Sequence, residues 1–293
     1  MNVSVIIPTY KRSEFLIRAI ESVFNQSYQD IEIIIVDDNG LGAQQEITKK
    51  IAKPYPKVKL ITYSKNCGGC YARNKGYEEA KGNYIFFLDD DDVFLPNKVQ
   101  TQVDFLNNHT ELDGCLAAFK RIGENNLEIK ATSNFPAVGD FKNFVINGNF
   151  FTPMLCIRKT SLLKVGGFYP IERFQDRYMM LHALVEGLKF ECIQEPLHIM
   201  YEHNGDRITN KSIAKSVDSL NVMKNFIQNY KLQFTAKQWN SFLEKDMRMR
   251  GFVFYVADSY QDRIKGFGYF LKAFRLSKQI NDIKFAFKSI VKM

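Results

Sequence analysis

Two short apolar runs near the start of the chain narrow its fold more than any other feature. "VSVIIP" (Val3 to Pro8) and "IEIIIVDDNG" (Ile31 to Gly40) are β-branched, almost uninterrupted, and end in polar residues or glycine. Strands that are apolar at nearly every position belong to sheets covered on both faces, and such sheets are mostly parallel. Between the runs, "SEFLIRAIESVFNQS" spaces Leu16, Ile20, Val23 and Phe24 along one helical face, with Ser13 as its expected N-cap. Strand, helix and strand in about 35 residues make a βαβ unit.

The alternation continues. "KVKLITY" (Lys57 to Tyr63) reads as a third strand, "GCYARNKGYEEAKG" (Gly69 to Gly82) as a helix and "NYIFFLDDDD" (Asn83 to Asp92) as a fourth strand. The expected fold is therefore α/β, Rossmann-like and doubly wound, with a mostly parallel sheet. After Pro96 the pattern is less regular. "NFFTPMLCIRKTSLLKVGGF" (Asn149 to Phe168) suggests a strand, a short helix and a glycine turn. "ERFQDRYMMLHALVEG" (Glu172 to Gly187) suggests a helix with Tyr178, Leu181, Leu184 and Val185 on one face. From about residue 211 onward the chain reads as a helical extension.

Doubly wound sheets bind ligands beyond the carboxyl ends of their strands. Three strands deliver polar groups there: Pro8-Thr9-Tyr10, Asp37-Asp38-Asn39, and Asp89 to Asp92. Four successive carboxylates repel one another, so they sit either in water or around a cation. If they continue the fourth strand, Asp89 and Asp91 point the same way and Asp90 turns aside.

Charge is unevenly spread. Residues 1–210 carry 24 Lys/Arg against 26 Asp/Glu, whereas residues 211–293 carry 16 against 6. The net charge of +8 thus belongs to the C-terminal segment, which suits an anionic surface as partner. The last stretch places Phe267, Phe270, Leu271 and Phe274, then Ile283, Phe287, Ile290 and Val291, at helical spacing among lysines and arginines. That pattern fits a helix lying on an anionic membrane or, alternatively, a core or dimer-forming helix. The N-terminus reads as a strand, and no apolar run approaches the roughly 20 residues of a membrane helix. Five scattered cysteines point to free thiols in a reducing cytosol. The lone "CGGC" of Cys67 and Cys70 is a weak zinc signal.

"VSVIIPTYKR", "IEIIIVDDNG", "ARNKG…AKGNYIFFLDDDD" and "GGF…QDRYMMLHALVEG" occur in an order and spacing that resemble the family 2 inverting glycosyltransferases of GT-A fold. The resemblance covers roughly residues 1–200. It implies a GT-A domain over residues 1–210, with a nucleotide-sugar-binding half (1–107) and an acceptor half (108–210), followed by a basic helical region (211–293). It also implies transfer of a sugar from a nucleotide-sugar, most often a UDP-sugar, with Mn²⁺ or Mg²⁺ on the diphosphate. The acceptor would be a hydroxyl of a growing surface glycan, such as a capsule or O-antigen, or of a lipid-linked carrier. The enzyme would be cytoplasmic, peripheral at the inner face of the membrane.

By that resemblance Asp91 is the expected metal ligand. Asp89 binds the metal directly or through water, and Asp90 reaches the ribose. Asp38 accepts from the base, while Asp37 caps a neighbouring loop. Pro8, Thr9 and Tyr10 line the base and ribose. Arg73 contacts the diphosphate or pairs with the acidic cluster. Asp176 is the expected catalytic base, preceded by Gln175 where the family often has Glu. His203 completes the metal site or is a surface turn. The chemistry is coherent, because a hard divalent cation takes oxygen ligands and neutralises a diphosphate leaving group. Two alternatives remain at this point. One is a sugar-phosphate nucleotidyltransferase, although "PTYKRSEF" lacks its Gly-rich, basic loop. The other is a non-catalytic membrane- or nucleic-acid-binding protein, although acidic strand ends would repel phosphate. A homo-oligomer is compatible with either, and no nucleic-acid partner is expected.

Overall fold

The computed structural model describes residues 2–123, 127–131, 136–202 and 212–291. The chain divides into two compact units. The first comprises 1–141, 148–170 and 175–205, and the second 142–147, 171–174 and 206–293.

The first unit opens with β1 (Val3–Thr9), α1 (Ser13–Phe24), β2 (Ile31–Asp37), α2 (Ala43–Ala52), β3 (Val58–Thr62), α3 (Gly69–Glu78) and β4 (Tyr84–Phe87). It continues with β5 (Val93–Phe94), α4 (Lys98–Asn108), β6 (Gly114–Ile122) and β7 (Glu128–Ala131). Helix α5 (Phe141–Asn147) lies almost wholly in the second unit. Then come β8 (Leu155–Arg158), α6 (Lys159–Val165), α7 (Gln175–Val185) and β9 (Phe190–Tyr201). Among the described residues these strands form one sheet in the order β3-β2-β1-β4-β8-β6-β9-β5, with β7 beside β6.

Strands β3, β2, β1 and β4 run parallel, Val3 facing Ile31 on one side and Tyr84 on the other. Every residue of β2 is buried, as are Val3, Val5, Ile6 and Ile7 of β1, which is why both runs are apolar but for Ser4 and Glu32. There the Ser4 hydroxyl donates to the Glu32 carboxylate at 2.5 Å. Leu16, Ala19, Ile20 and Val23 of α1 complete the packing on one face. Antiparallel β8 then follows β4, and β6 pairs in parallel with β9. The order of strands reverses between β1 and β4, so a crevice is expected beyond their carboxyl ends.

Two expectations fail locally. Ser13 does not cap α1: the N-cap position is Arg12, with no side-chain cap. The fourth strand stops at Phe87, and Asp89 to Asp92 form a turn closed by the Asp92 amide on the Asp89 carbonyl at 3.1 Å. The alternating geometry of a strand therefore does not govern the four aspartates. The α7 helix begins at Gln175 rather than Glu172, and it buries Met179 and Met180 as well as Tyr178, Leu181 and Leu184.

Close approach makes Gly82 hard to replace. A Cβ there would lie 2.6 Å from the Ser4 nitrogen and 2.6 Å from the Val3 carbonyl carbon, both backbone. Gly82→Ala is expected to destabilise by roughly 1–3 kcal/mol or more through overpacking. Urea unfolding should show a lower midpoint at unchanged slope; an unchanged midpoint would refute the tight contact.

The second unit is helical: α8 (Ile213–Gln228), α9 (Ala236–Tyr255), α10 (Tyr260–Ser277) and α11 (Ile280–Val291). Thr235 and Gln238 cap α9 reciprocally. The phenyl groups of Phe252, Phe270 and Phe285 bring α9, α10 and α11 together at centroid distances of 5.1, 4.9 and 5.7 Å.

Candidate active site

The turn after β4 packs against the loop after β1 because these strands are neighbours. Thr9, the last residue of β1, donates its hydroxyl to Asp90 at 2.7 Å, and the Tyr10 amide reaches the same oxygen at 3.4 Å. The Arg12 guanidinium lies 2.6 Å from Asp91 Oδ2 and 3.3 Å from Asp90 Oδ1. Arg18 donates to the Asp91 carbonyl at 2.7 Å and lies over the Tyr201 ring. Asp92 accepts the Tyr201 amide, which ties the turn to β9. Asp90, Asp91 and Asp92 are all buried.

Asp89 points elsewhere. Arg73, on α3, donates to it at 2.7 Å and to the Gln175 amide oxygen at 3.0 Å. Arg73 thus joins the acidic turn to the start of α7, where Asp176 follows Gln175. Burial pushes the Asp176 carboxyl up to about 6, against the opposing effect of the Arg177 amide, which donates to it, and of the Arg73 charge. Burial likewise raises Asp90 to about 7, with Arg12 opposing. Burial works against the Arg12 charge, but Asp91, Asp90 and Asp89 outweigh it and hold its pKa raised. The site therefore places a carboxyl of raised pKa, Asp176, across one guanidinium from the acidic turn.

At the end of β2 the loop contacts expected of Asp37 are made by Asp38. Asp38 holds the neighbouring loop: Oδ1 accepts from the Tyr63 hydroxyl and the Cys67 amide, and Oδ2 from the Asn66 side chain and the Gly68 amide, at 2.7–2.8 Å. Asp37 caps only its own turn, through the Asn39 amide, and its Oδ2 is buried without a hydrogen-bond partner. The "CGGC" motif is thereby accounted for by backbone: Cys67 and Gly68 present amides to Asp38, and Gly68 adopts φ 90°, which glycine tolerates. Neither cysteine forms a disulfide, and their thiols donate to the Lys65 and Tyr169 carbonyls at 3.4 and 2.9 Å. Pro8 pairs with Val36 within the sheet, and Tyr10 lies under the Lys11 ammonium. His203 lies outside the described residues.

Sequence reasoning missed Arg12, Arg18, Tyr63 and Asn66. "TYKR" carried a signal for Arg12, since a cation three residues past the end of β1 faces whatever follows the adjacent strand. Tyr63 and Asn66 carried none.

The donor set suits a hard divalent cation. Among the described residues it consists of carboxylate oxygens, and guanidinium groups balance their charge. Among the described residues no group of three or more His, Cys, Asp or Glu is arranged as a ready ligand set. A cation here would take Asp91 and at most one neighbouring carboxylate, with phosphate and water completing its shell.

These features have counterparts among known proteins. The sequence profile of Glycosyl transferase family 2 matches residues 4–174. A Haemophilus influenzae protein named an uncharacterized glycosyltransferase is 31% identical over 238 residues, spanning 80% of this chain and 89% of its own length. The fold is similar to that of S. aureus TarS 1-349 in complex with UDP-GlcNAc, with a TM-score of 0.62 and 16% identity over 96% of this chain and 92% of that one. It is also similar to the mannosyltransferase PcManGT from Pyrobaculum calidifontis in complex with GDP-Man and Mn²⁺, with a TM-score of 0.56 and 13% identity over 99% of this chain and 86% of that one. At such identities the two structures establish a shared GT-A fold and nothing finer. Profile and relative together go further: the chain belongs to glycosyl transferase family 2, and it is a glycosyltransferase.

Proposed function

We propose that the chain is an inverting, metal-dependent glycosyltransferase that moves a sugar from a nucleotide-sugar, a UDP-sugar, to a hydroxyl of a growing surface glycan or a lipid-linked acceptor. The observation that carries the reading is the Arg73 bridge, which holds Asp89 of the acidic turn and Gln175, the neighbour of Asp176, on one guanidinium. Inversion needs a base and a leaving-group site that are close but distinct, because attack and departure occur on opposite faces of the sugar.

In this reading Asp91, with Asp89 or Asp90, holds Mn²⁺ or Mg²⁺; the bound cation would neutralise charge on the departing diphosphate. Arg12 and Arg73 add positive charge at the same place. Asp176 takes the proton from the acceptor hydroxyl, and burial suits it to that role by raising its basicity. Thr9 and Tyr10 form the donor side of the crevice, with the loop that Asp38 anchors. The donor class is supported by the UDP-GlcNAc and GDP-Man named for the two similar structures. Membership of the family sets aside a nucleotidyltransferase and a non-catalytic binding protein. A cytoplasmic enzyme peripheral at the inner membrane face is supported by the basic balance of residues 211–293.

Incubation with UDP-GlcNAc, UDP-glucose, UDP-galactose and GDP-mannose, each with Mn²⁺ or EDTA, tests this. Slow nucleotide release from one UDP-sugar, lost with EDTA, is the expected result. Release undiminished by EDTA would overturn metal dependence, and release from GDP-mannose alone would overturn the UDP assignment.

A further inference from the structure

Helix α11 carries large apolar side chains on both sides: Phe285 packs on Phe252 and Phe270, while three others face solvent. Its fully buried positions are Asp282, Ala286 and Ser289, whereas Ile280, Phe287 and Val291 are 62%, 56% and 62% exposed. Leaving Ile280, Phe287 and Val291 in solvent forfeits hydrophobic stabilisation, so apolar burial alone does not fix the roll of the helix. A clamp fixes it. Arg248 of α9 donates Nε to Asp282 Oδ1 at 2.6 Å and Nη2 to Oδ2 at 2.9 Å, and the Ser277 hydroxyl adds a third bond at 2.7 Å. A paired bidentate arginine is among the strongest ways to hold a buried carboxylate.

With its roll so fixed, α11 shows solvent the row Ile280, Lys284, Phe287, Lys288 and Val291, at spacings that share one side of a helix. Helix α10 extends the row. Ile264, Lys272, Arg275 and Leu276 are exposed, and the Phe267 ring meets Phe287 edge-on at 5.9 Å. The acidic residues of these two helices do not offset the charge. Asp282 is buried on Arg248, and Asp262 is paired with Lys265. Lys272, Lys284 and Lys288 have no acidic partner among the described residues.

We infer that this face of α10 and α11 docks on an anionic phospholipid surface, Phe287, Val291 and Ile280 entering the headgroup layer between lysines that contact phosphate. The inference rests on the membrane location proposed above and names the surface responsible for it. Apolar side chains alternating with cations match a boundary that is apolar below and negative above. A second copy of the chain fits worse, because a two-fold interface sets each patch against itself and would oppose lysine to lysine. Nucleic acid would engage the lysines but leave the aliphatic side chains without a counterpart.

Flotation of the full chain with vesicles tests the assignment. Binding is expected to phosphatidylcholine vesicles containing phosphatidylglycerol and not to phosphatidylcholine alone, and to weaken as salt rises. Each basic residue near such a surface multiplies binding by roughly fivefold, so Lys284→Glu with Lys288→Glu should reduce it by more than about twentyfold. Phe287→Ser with Val291→Ser should also weaken it. Lys284 and Lys288 are exposed without acidic partners among the described residues, so the lysine variant should leave Tm and nucleotide release in solution unchanged. The Phe287 variant also gives up its edge contact with Phe267 and is read at a temperature below its own Tm. Equal binding to neutral and anionic vesicles, or undiminished binding by the lysine variant, would overturn the inference. So would a dimer in light scattering that Phe287→Glu dissociates. Because nucleotide release is read without vesicles, a wild-type chain that releases nucleotide but does not float refutes the docking face alone, and a wild-type chain that floats but releases no nucleotide refutes the proposed donor reaction alone.

Discussion

Asp91→Ala is expected to lower donor-dependent nucleotide release by about 10²–10³-fold. Neutralising a diphosphate leaving group is worth several kcal/mol of transition-state stabilisation, and each 1.36 kcal/mol is a factor of ten. Asp91 is the carboxylate that Arg12 approaches most closely, at 2.6 Å, so it marks where positive charge is best stabilised in the turn. Removing it leaves Asp90 hydrogen-bonded to Thr9 and Asp89 to Arg73, so the crevice walls should survive. Steady-state release with saturating Mn²⁺ measures the loss, and Tm reports whether the fold holds. Asp91→Asn keeps the shape and removes the charge; it should fall nearly as far. Wild-type release from Asp91→Asn would assign the cation to other residues.

The second large effect concerns Asp176. Asp176→Asn removes a general base and should lower turnover by roughly 10²–10⁴-fold. The pH profile gives an independent reading. A base must be ionised, and Asp176 titrates at about 6, so wild-type kcat/KM should rise with pH through about 6 and level off above. The variant should lose that limb. Stability should move the opposite way. The folded pKa lies above the ordinary 3.8, so the neutral form is the one the fold favours. The stabilisation is complete below about 3.8 and is lost as pH rises through about 6. Asp176→Asn should therefore raise Tm at about pH 8, with the gain fading toward about pH 4. A variant that loses activity and also melts lower at alkaline pH would show that Asp176 supports the fold rather than the chemistry.

These two predictions draw on different kinds of information. Strands β1, β2 and β3, helices α1 and α3 and the parallel half of the sheet were legible in the sequence. Runs such as "VSVIIP" and "IEIIIV" are apolar at successive positions only when both faces of a strand are covered, so one physical constraint wrote the pattern directly. The polar strand ends were legible for the same reason, since each marks where its run stops. Asp91, Asp176 and Arg73 were singled out through the family resemblance that those endings and the "GGF…QD" segment carry.

Pairings between distant residues were not legible. The sequence placed the aspartates on a strand, but the chain leaves β4 after Phe87 and turns, because Asp90 and Asp91 are drawn to Thr9 and Arg12, some 80 positions earlier. Periodicity describes only regular backbone, and a turn has none. The same limit applies to Asp37 and Asp38. Adjacent identical residues give no local signal to say which will meet Tyr63, Asn66 and the loop amides.

The C-terminal helices separate the two sources most clearly. Sequence alone determined that residues 260–291 are helical, basic and aromatic, because helical spacing and charge are local properties. It did not determine which side faces inward. A hydrophobicity pattern assigns the apolar side to the core, yet Asp282 is buried and Phe287 is exposed. Tertiary structure decided this, because Arg248 on α9 supplies two charge-assisted hydrogen bonds that fix the roll of α11.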